Sequence, residues 1–131
     1  MDIVIDASAI VAVIVDEPER NRVVELTTGH NLLGPGSIPW EIGNAFSSLL
    51  KQHRVSIKAA KLGLTIFQSI PIRYLPVDME NAISIAHANN LYAYDAYFLQ
   101  CAIEKQYPLL TLDRDLQRMA ERVRVHIVEG P

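Results

Sequence analysis

The chain has too little cysteine for an internal disulfide and no apolar run long enough to cross a membrane. Cys101 is the only cysteine among 131 residues, so it is expected to be a buried, inert thiol in a reducing cytoplasm. The longest uninterrupted apolar run covers residues 9–15, whereas a membrane-spanning helix needs about 20 residues. Asp2 and Asp6 lie where a signal peptide would be basic, which favours a cytoplasmic protein.

Several common functional motifs are also missing. The sequence has no Gly-rich phosphate loop and no Gly-x-Ser-x-Gly segment, which disfavours P-loop enzymes and serine hydrolases. Its four histidines lack zinc-ligand spacing. Repeats, low-complexity tracts and linkers are absent as well, and the chain is 50% hydrophobic and 21% charged. These properties predict a single globular domain over residues 1–131.

Short apolar runs alternate with helical periodicity, which indicates an α/β domain with a mostly parallel sheet. The first strand does not alternate and is expected to be buried on both faces. The helix over residues 93–106 is nearly all apolar and is expected in the interior. The sequence predicts strands over residues 2–6, 31–33, 72–77, 109–112 and 125–128, and helices over 7–15, 18–29, 38–52, 56–69, 78–89, 93–106 and 114–122.

Four acidic residues lie in apolar surroundings, where an isolated carboxylate is costly. Asp6 and Asp113 each end a predicted strand, and Glu41 and Asp95 lie near the amino ends of predicted helices. Because ligand sites in parallel sheets form at the carboxyl ends of strands, neighbouring strands would bring Asp6 and Asp113 to one crevice. Two such charges about 4 Å apart repel by about 4 kcal/mol at an effective dielectric constant of about 20. The pattern therefore predicts a divalent-metal site.

Each acid also has a simpler interpretation when it is taken alone. Asp6 and Asp113 are suitable helix caps, and Glu41 would interact favourably with a helix macrodipole. Asp95 is harder to explain in this way, because it lies one turn into an apolar helix. The neighbouring polar residues are either supporting groups or ordinary helix, strand and surface residues: Ser8, Asn44, Thr111 and Asp115.

The available ligands indicate which metal and which chemistry to expect. Oxygen ligands without a Cys or His cluster favour Mg²⁺ or Mn²⁺ over zinc. A hard cation held by carboxylates polarises a phosphoryl group and activates water for in-line attack, so phosphodiester hydrolysis is the expected reaction class. The net charge of -3 neither supports nor excludes RNA, because 11 of the 15 acidic residues remain outside the four-acid set, against 12 Lys and Arg.

The joint pattern resembles the PIN-domain ribonucleases, and in particular the toxin subunit of VapBC-type toxin–antitoxin pairs. The order and spacing of four acidic motifs agree over nearly the whole chain. The segments similar to those motifs are IVIDASA (residues 3–9), WEIGN (40–44), YDA (94–96) and TLDRDL (111–116).

This resemblance implies a three-layer α/β/α PIN-like fold with a central, mostly parallel sheet. It implies that the metal-binding and catalytic acids are Asp6, Glu41, Asp95 and Asp113, and that the supporting polar residues are Ser8, Asn44, Thr111 and Asp115. The family varies in whether the last acid corresponds to Asp113 or Asp115, and the sequence leaves that choice open.

The function implied by the resemblance is a Mg²⁺- or Mn²⁺-dependent endoribonuclease, the toxin of a type II toxin–antitoxin pair. The implied partners are an RNA substrate, a cognate antitoxin with a basic tail and a second copy of the chain. Apolar residues on more than one side of the helix over 56–69 suit a dimer contact: Leu62, Leu64, Ile66 and Phe67. Two alternatives remain, a PIN-domain nuclease of RNA processing without an antitoxin and a non-catalytic acidic binding module.

Overall fold

Four parallel strands form the central sheet of the computed structural model, which describes residues 1–129. The strands are β1 (Asp2–Ile5), β2 (Asn31–Pro35), β3 (Ile72–Leu75) and β4 (Leu109–Leu110), in the order β3-β2-β1-β4. In this order β1 pairs with β2 on one side and with β4 on the other. The prediction that the strands preceding Asp6 and Asp113 are neighbours is therefore confirmed.

Helices cover both faces of this sheet, as the three-layer α/β/α prediction requires. The first four helices pack against one another, whereas α5 and α6 pack together and α6 also contacts β1, β2 and β4. Within the described part of the chain the helices are α1 (Ala7–Ile14), α2 (Arg20–Thr27), α3 (Ile38–Lys51), α4 (Ile57–Ser69), α5 (Met79–Asn89), α6 (Ala93–Lys105) and α7 (Arg114–Arg122).

The first strand is the centre of the hydrophobic core. Ile3, Val4 and Ile5 are buried on both faces of the sheet, which confirms the expectation from their continuous apolar run. Val4 pairs with Leu33 of β2 and Leu109 of β4. Because β1 is paired with a strand on each side, the backbone position of Asp6, which follows β1, is well defined.

Local capping chemistry accounts for several helix starts. The Ser56 hydroxyl accepts the Ala59 N–H at 3.0 Å, and the Asp78 carboxylate accepts the Asn81 N–H at 3.1 Å. These two caps are the residues at which the predicted helices over 56–69 and 78–89 begin. By contrast, α2 begins at Arg20 and not at residue 18. Pro18 lies in the turn before α2, so the restricted φ of proline constrains that turn and not the first turn of the helix.

Two sequence predictions are wrong in detail. Residues 125–128 do not form a strand, because their only ladder contact within residues 1–129 is a bridge between Leu109 and Ile127. Since β4 is two residues long, it offers a neighbour too few pairing positions. The helix α6 is also not wholly interior: Phe98 and Leu99 are buried, but Tyr94 and Ile103 are exposed.

No helix within residues 1–129 combines the length and the apolar character needed to cross a lipid bilayer.

Candidate active site

The four predicted acids all lie at the amino ends of helices. Asp6 is the N-cap of α1 and Asp113 is the N-cap of α7, whereas Glu41 and Asp95 lie in the first turns of α3 and α6. The amino end of a helix carries a partial positive charge, which offsets part of the repulsion between neighbouring carboxylates. The capping interpretation of Asp6 and Asp113 is therefore confirmed, and it is compatible with a role for both residues in a site.

Asp6 is the buried centre of the site. Its side chain is 6% exposed. One carboxylate oxygen accepts the Ser8 hydroxyl at 2.7 Å and the Ala9 N–H at 3.2 Å, while the other accepts the Thr111 hydroxyl at 2.6 Å. Burial raises the pKa of Asp6 to about 6, although these hydrogen bonds act to lower it and the charge of Asp113 raises it further.

The residue Thr111 links Asp6 to Asp113. Its hydroxyl oxygen accepts the Asp113 N–H at 3.0 Å, and Ser8 in turn accepts the Leu112 N–H at 3.0 Å. These contacts join the loop after β4 to the loop after β1. Ser8 and Thr111, both predicted as supporting residues, thus donate to the Asp6 carboxylate, and Thr111 also binds the backbone N–H of Asp113.

Glu41 is held by a residue that sequence reasoning missed. The buried Ser37 hydroxyl donates to Glu41 Oε2 at 2.9 Å. Burial raises the pKa of Glu41 to about 7; the Ser37 hydrogen bond opposes this rise, and the charges of Asp6 and Asp95 add to it. The available signal was a serine directly before the helix that carries Glu41, which sequence reasoning would assign to capping. Here that serine makes no side-chain cap hydrogen bond.

The four carboxylates act on one another around a ring. Burial raises the pKa of Asp95, and the charge of Asp113 raises it further. Asp113 acts on Asp6 as well, while Glu41 is influenced by Asp6 and Asp95. The structure therefore brings all four predicted acids to the same end of the sheet.

Asp115 does not join this ring. Its carboxylate pairs with Arg118 on the exposed surface of α7. Asn44 is exposed one turn from Glu41 and lines a pocket with it. Of the predicted supporting residues, Ser8 and Thr111 thus contact one of the four acids through their side chains, and Asn44 lies beside Glu41. Asp115 donates its backbone N–H to the Asp113 carboxylate at 2.9 Å, while its side chain pairs with Arg118.

The four acids lack a basic partner in the described residues. The ion pairs found there join Asp16 to Arg20, Glu17 to Arg54 and Asp115 to Arg118. Carboxylates that are partly buried and unpaired favour binding of a cation. Their oxygen-only chemistry fits a hard divalent ion such as Mg²⁺.

The four acids do not form a ready-made metal site. Across residues 1–129, no group of three or more Asp, Glu, His or Cys side chains is arranged to hold a metal ion. Their oxygen donors and uncompensated charge nevertheless fit a divalent cation. An oxygen-only acidic site at the carboxyl end of a parallel sheet is a setting for phosphoryl chemistry.

The PIN domain family profile matches residues 3–122, so the chain belongs to the PIN domain family. PIN domains are nucleases. No curated protein matches the sequence.

Solved structures share the fold. The crystal structure of PAE2754 from Pyrobaculum aerophilum has a TM-score of 0.69 at 23% identity, covering 91% of this chain and 79% of that one. VapBC2 from Rickettsia felis, bound to a DNA fragment from its promoter, has a TM-score of 0.63 at 16% identity, covering 98% of both chains. Mycobacterium tuberculosis VapC20, a Sarcin-Ricin loop cleaving toxin, has a TM-score of 0.65 at 14% identity, covering 98% of this chain and 99% of that one.

Proposed function

We propose that this chain is a cytoplasmic, Mg²⁺- or Mn²⁺-dependent endoribonuclease and the toxin of a type II toxin–antitoxin pair. The observation that carries the proposal is the ring of four carboxylates at the carboxyl end of the sheet, with no Lys or Arg paired to it in the described residues. Membership of the PIN domain family supports the nuclease class. The likeness of the fold to VapBC2 and VapC20 supports the toxin assignment.

The residues of the chain have two roles in the proposed reaction, which are to hold the cation and to move a proton. Asp6, Asp95 and Asp113 would hold the divalent ion together with Glu41. When bound, the ion supplies positive charge that polarises the phosphodiester and lowers the pKa of water. Ser8 and Thr111 keep Asp6 oriented through their hydroxyl groups.

Glu41 is proposed as the group that accepts the proton of the attacking water. Its Oε2 is held by Ser37, which leaves its Oε1 for the water. A carboxylate within hydrogen-bond reach of the attacking water can act as its general base.

We assign the fourth acidic position to Asp113 and not to Asp115. The charge of Asp113 acts on both Asp6 and Asp95, whereas Asp115 is engaged by Arg118. Asp115 then acts as a charge at the amino end of α7 that also restrains Arg118.

Two protein partners belong to the proposal. A basic antitoxin tail would complement the acid ring, and a bidentate arginine matches carboxylates better than lysine does. A second copy of the chain would cover α4, where Leu62 is 60% exposed and Ile66 is 41% exposed. Leu64 and Phe67 pack against the core instead, so the dimer contact is narrower than the sequence suggested.

RNA cleavage by the purified chain tests the nuclease assignment. Cleavage should require Mg²⁺ or Mn²⁺ and stop with chelator. Asp95→Asn and Asp113→Asn should each lower the rate by at least about 100-fold, whereas the matched change Asp115→Asn should retain most activity. Asparagine preserves the capping ability of position 113, so circular dichroism should show an unchanged fold. Metal-independent cleavage, or full activity of Asp95→Asn, would overturn the assignment.

A further inference from the structure

Two exposed aromatic residues line one pocket beside the acid ring. Trp40 is 72% exposed and Tyr94 is 49% exposed. Together with Glu41 and Asn44 they line a cavity of about 420 Å³, which lies within the range of small-ligand pockets. Neither aromatic has a part in holding the cation or moving the proton.

The position of Trp40 is not explained by packing of the domain. The buried stripe of α3 runs through Ile38, Ile42, Phe46 and Leu49, and Trp40 points away from it. A single exposed apolar side chain is ordinary. Here two large aromatic side chains from different helices line the same pocket. They give it apolar walls beside a few polar groups, which is typical of ligand sites.

The structure supports the ring of Tyr94 and the backbone of Trp40. Tyr94 makes an edge-to-face contact with Tyr97, with ring centroids 5.8 Å apart and an interplanar angle of 88°. Trp40 belongs to the first turn of α3, where its backbone N–H donates to the Ser37 carbonyl at 3.1 Å. A side chain that is already ordered loses little conformational freedom when a ligand binds, which favours Tyr94 as one wall of a site.

We propose that Trp40 and Tyr94 form the walls of a subsite for an unpaired nucleobase of the RNA, next to the bond that is cut. This inference rests on the proposed nuclease function and names its substrate class, single-stranded RNA. Aromatic side chains bind unpaired bases by stacking, and their polar edges are read by side-chain hydrogen bonds. The exposed amide of Asn44, one turn from Trp40, lies in the same pocket and offers both a donor and an acceptor.

A nucleobase fits this subsite better than the guanidinium of a basic peptide does. A second pocket of about 440 Å³ shares Ala7 and Ala45 with the first one, and its lining includes Glu17, Glu19 and Asp113. A cationic side chain gains more attraction there, between several carboxylates. The aromatic pocket has a single acid and a neutral amide, which suits a neutral aromatic ligand.

Trp40 is the only tryptophan of the chain, so its fluorescence reports directly on the subsite. The full chain, in buffer that contains Ca²⁺, is titrated with three RNA ligands in separate experiments. They are a short single strand that lacks self-complementarity, the same strand in a duplex, and an abasic strand of equal length. Only the unpaired RNA should quench the fluorescence strongly. RNA recovered from each sample is run on a gel, so that binding and cleavage are scored separately.

Variants complete the test, with affinities measured by anisotropy of labelled RNA. Trp40→Ala and Tyr94→Ala should each weaken binding by about 5- to 150-fold, the range found when a stacked aromatic is removed. Trp40→Phe should recover most of the affinity, because it keeps a stacking face. The control is Tyr92→Ala, which alters a tyrosine that is 87% exposed but does not line the pocket; binding should not change.

The contrary outcomes separate this inference from the nuclease proposal. If the chain cleaves RNA but duplex and abasic strands quench as well as the unpaired strand, the stacking subsite is wrong and the nuclease stands. Quenching by an arginine-rich peptide without quenching by RNA would likewise overturn the subsite. If RNA neither binds nor is cut under any condition, both proposals fail.

Discussion

Burial of the Asp6 carboxylate should make the metal-free protein less stable as the pH rises. Burial raises the pKa of Asp6 from 3.8 to about 6, so between these values the folded chain binds more protons than the unfolded chain. The free energy of unfolding then falls as the pH rises through that window. A shift of about two units corresponds to about 3 kcal/mol at neutral pH.

The substitution Asp6→Asn isolates this effect. The amide oxygen keeps the hydrogen bonds from Ser8 and Ala9, and the amide nitrogen can donate to Thr111. The Thr111 hydroxyl can then turn toward Ser8, whose oxygen lies 3.3 Å away. The variant should match the wild type near pH 4 and exceed its stability by up to about 3 kcal/mol near pH 7.

Urea unfolding in chelator, repeated from pH 4 to pH 7, measures the difference between the two proteins. Subtracting the curves removes the contribution of carboxylates that do not interact with Asp6. The charge of Asp6 raises the pKa of Glu41, so loss of that repulsion adds to the difference in the same direction. Asp16→Asn is the matched control because its carboxylate is 87% exposed, and it should change stability by less than about 0.5 kcal/mol at every pH. Parallel curves for wild type and Asp6→Asn would refute the buried-charge explanation.

Three further predictions concern packing and assembly. Gly63→Ala should destabilise the fold by about 1–3 kcal/mol, because the added Cβ would lie 2.5 Å from Cζ of Phe46. The Cβ added by Gly43→Ala would meet nothing within 4 Å, so that variant should be more stable by up to about 1 kcal/mol. Thermal unfolding compares the two variants. Light scattering should give about twice 14.7 kDa for the wild type and a monomer for Leu62→Glu; a monomeric wild type would contradict the dimer. If an antitoxin arginine enters the acid ring as proposed, changing it to Ala or Lys should restore RNA cleavage; inhibition that persists in both variants would show that the tail blocks by bulk alone.

The strand-end acids were predictable because their environment is set by neighbours in sequence. A continuous apolar run before Asp6 requires a buried strand, and a parallel sheet places its carboxyl ends together. The same reasoning placed Asp113. The sequence pattern could not distinguish Asp113 from Asp115 as the fourth acid. The proposed choice depends on the ion pair between Asp115 and Arg118, and hydrophobic periodicity carries no information about such a pair.

Other features depend on tertiary contacts that leave little trace in a sequence. The predicted strand over residues 125–128 had suitable β-branched residues, but the two-residue β4 could pair with it at only one position. The role of Ser37 was hidden because a serine before a helix normally indicates a cap. The aromatic pocket was missed because Trp40 and Tyr94 belong to different helices and are far apart in the sequence, and only the folded chain brings them to one pocket.

The hydrogen bond from Thr111 to Asp6 joins residues 105 positions apart in sequence, so the order of synthesis bears on when the acid ring can form. The central strand β1 is synthesised long before its neighbour β4 and before the acid that follows β4. A nascent chain that ends before β4 holds Asp6 without the hydroxyl that orients it and without Asp113. The order of the strands therefore delays completion of the acid ring until β4 and Asp113 have been made.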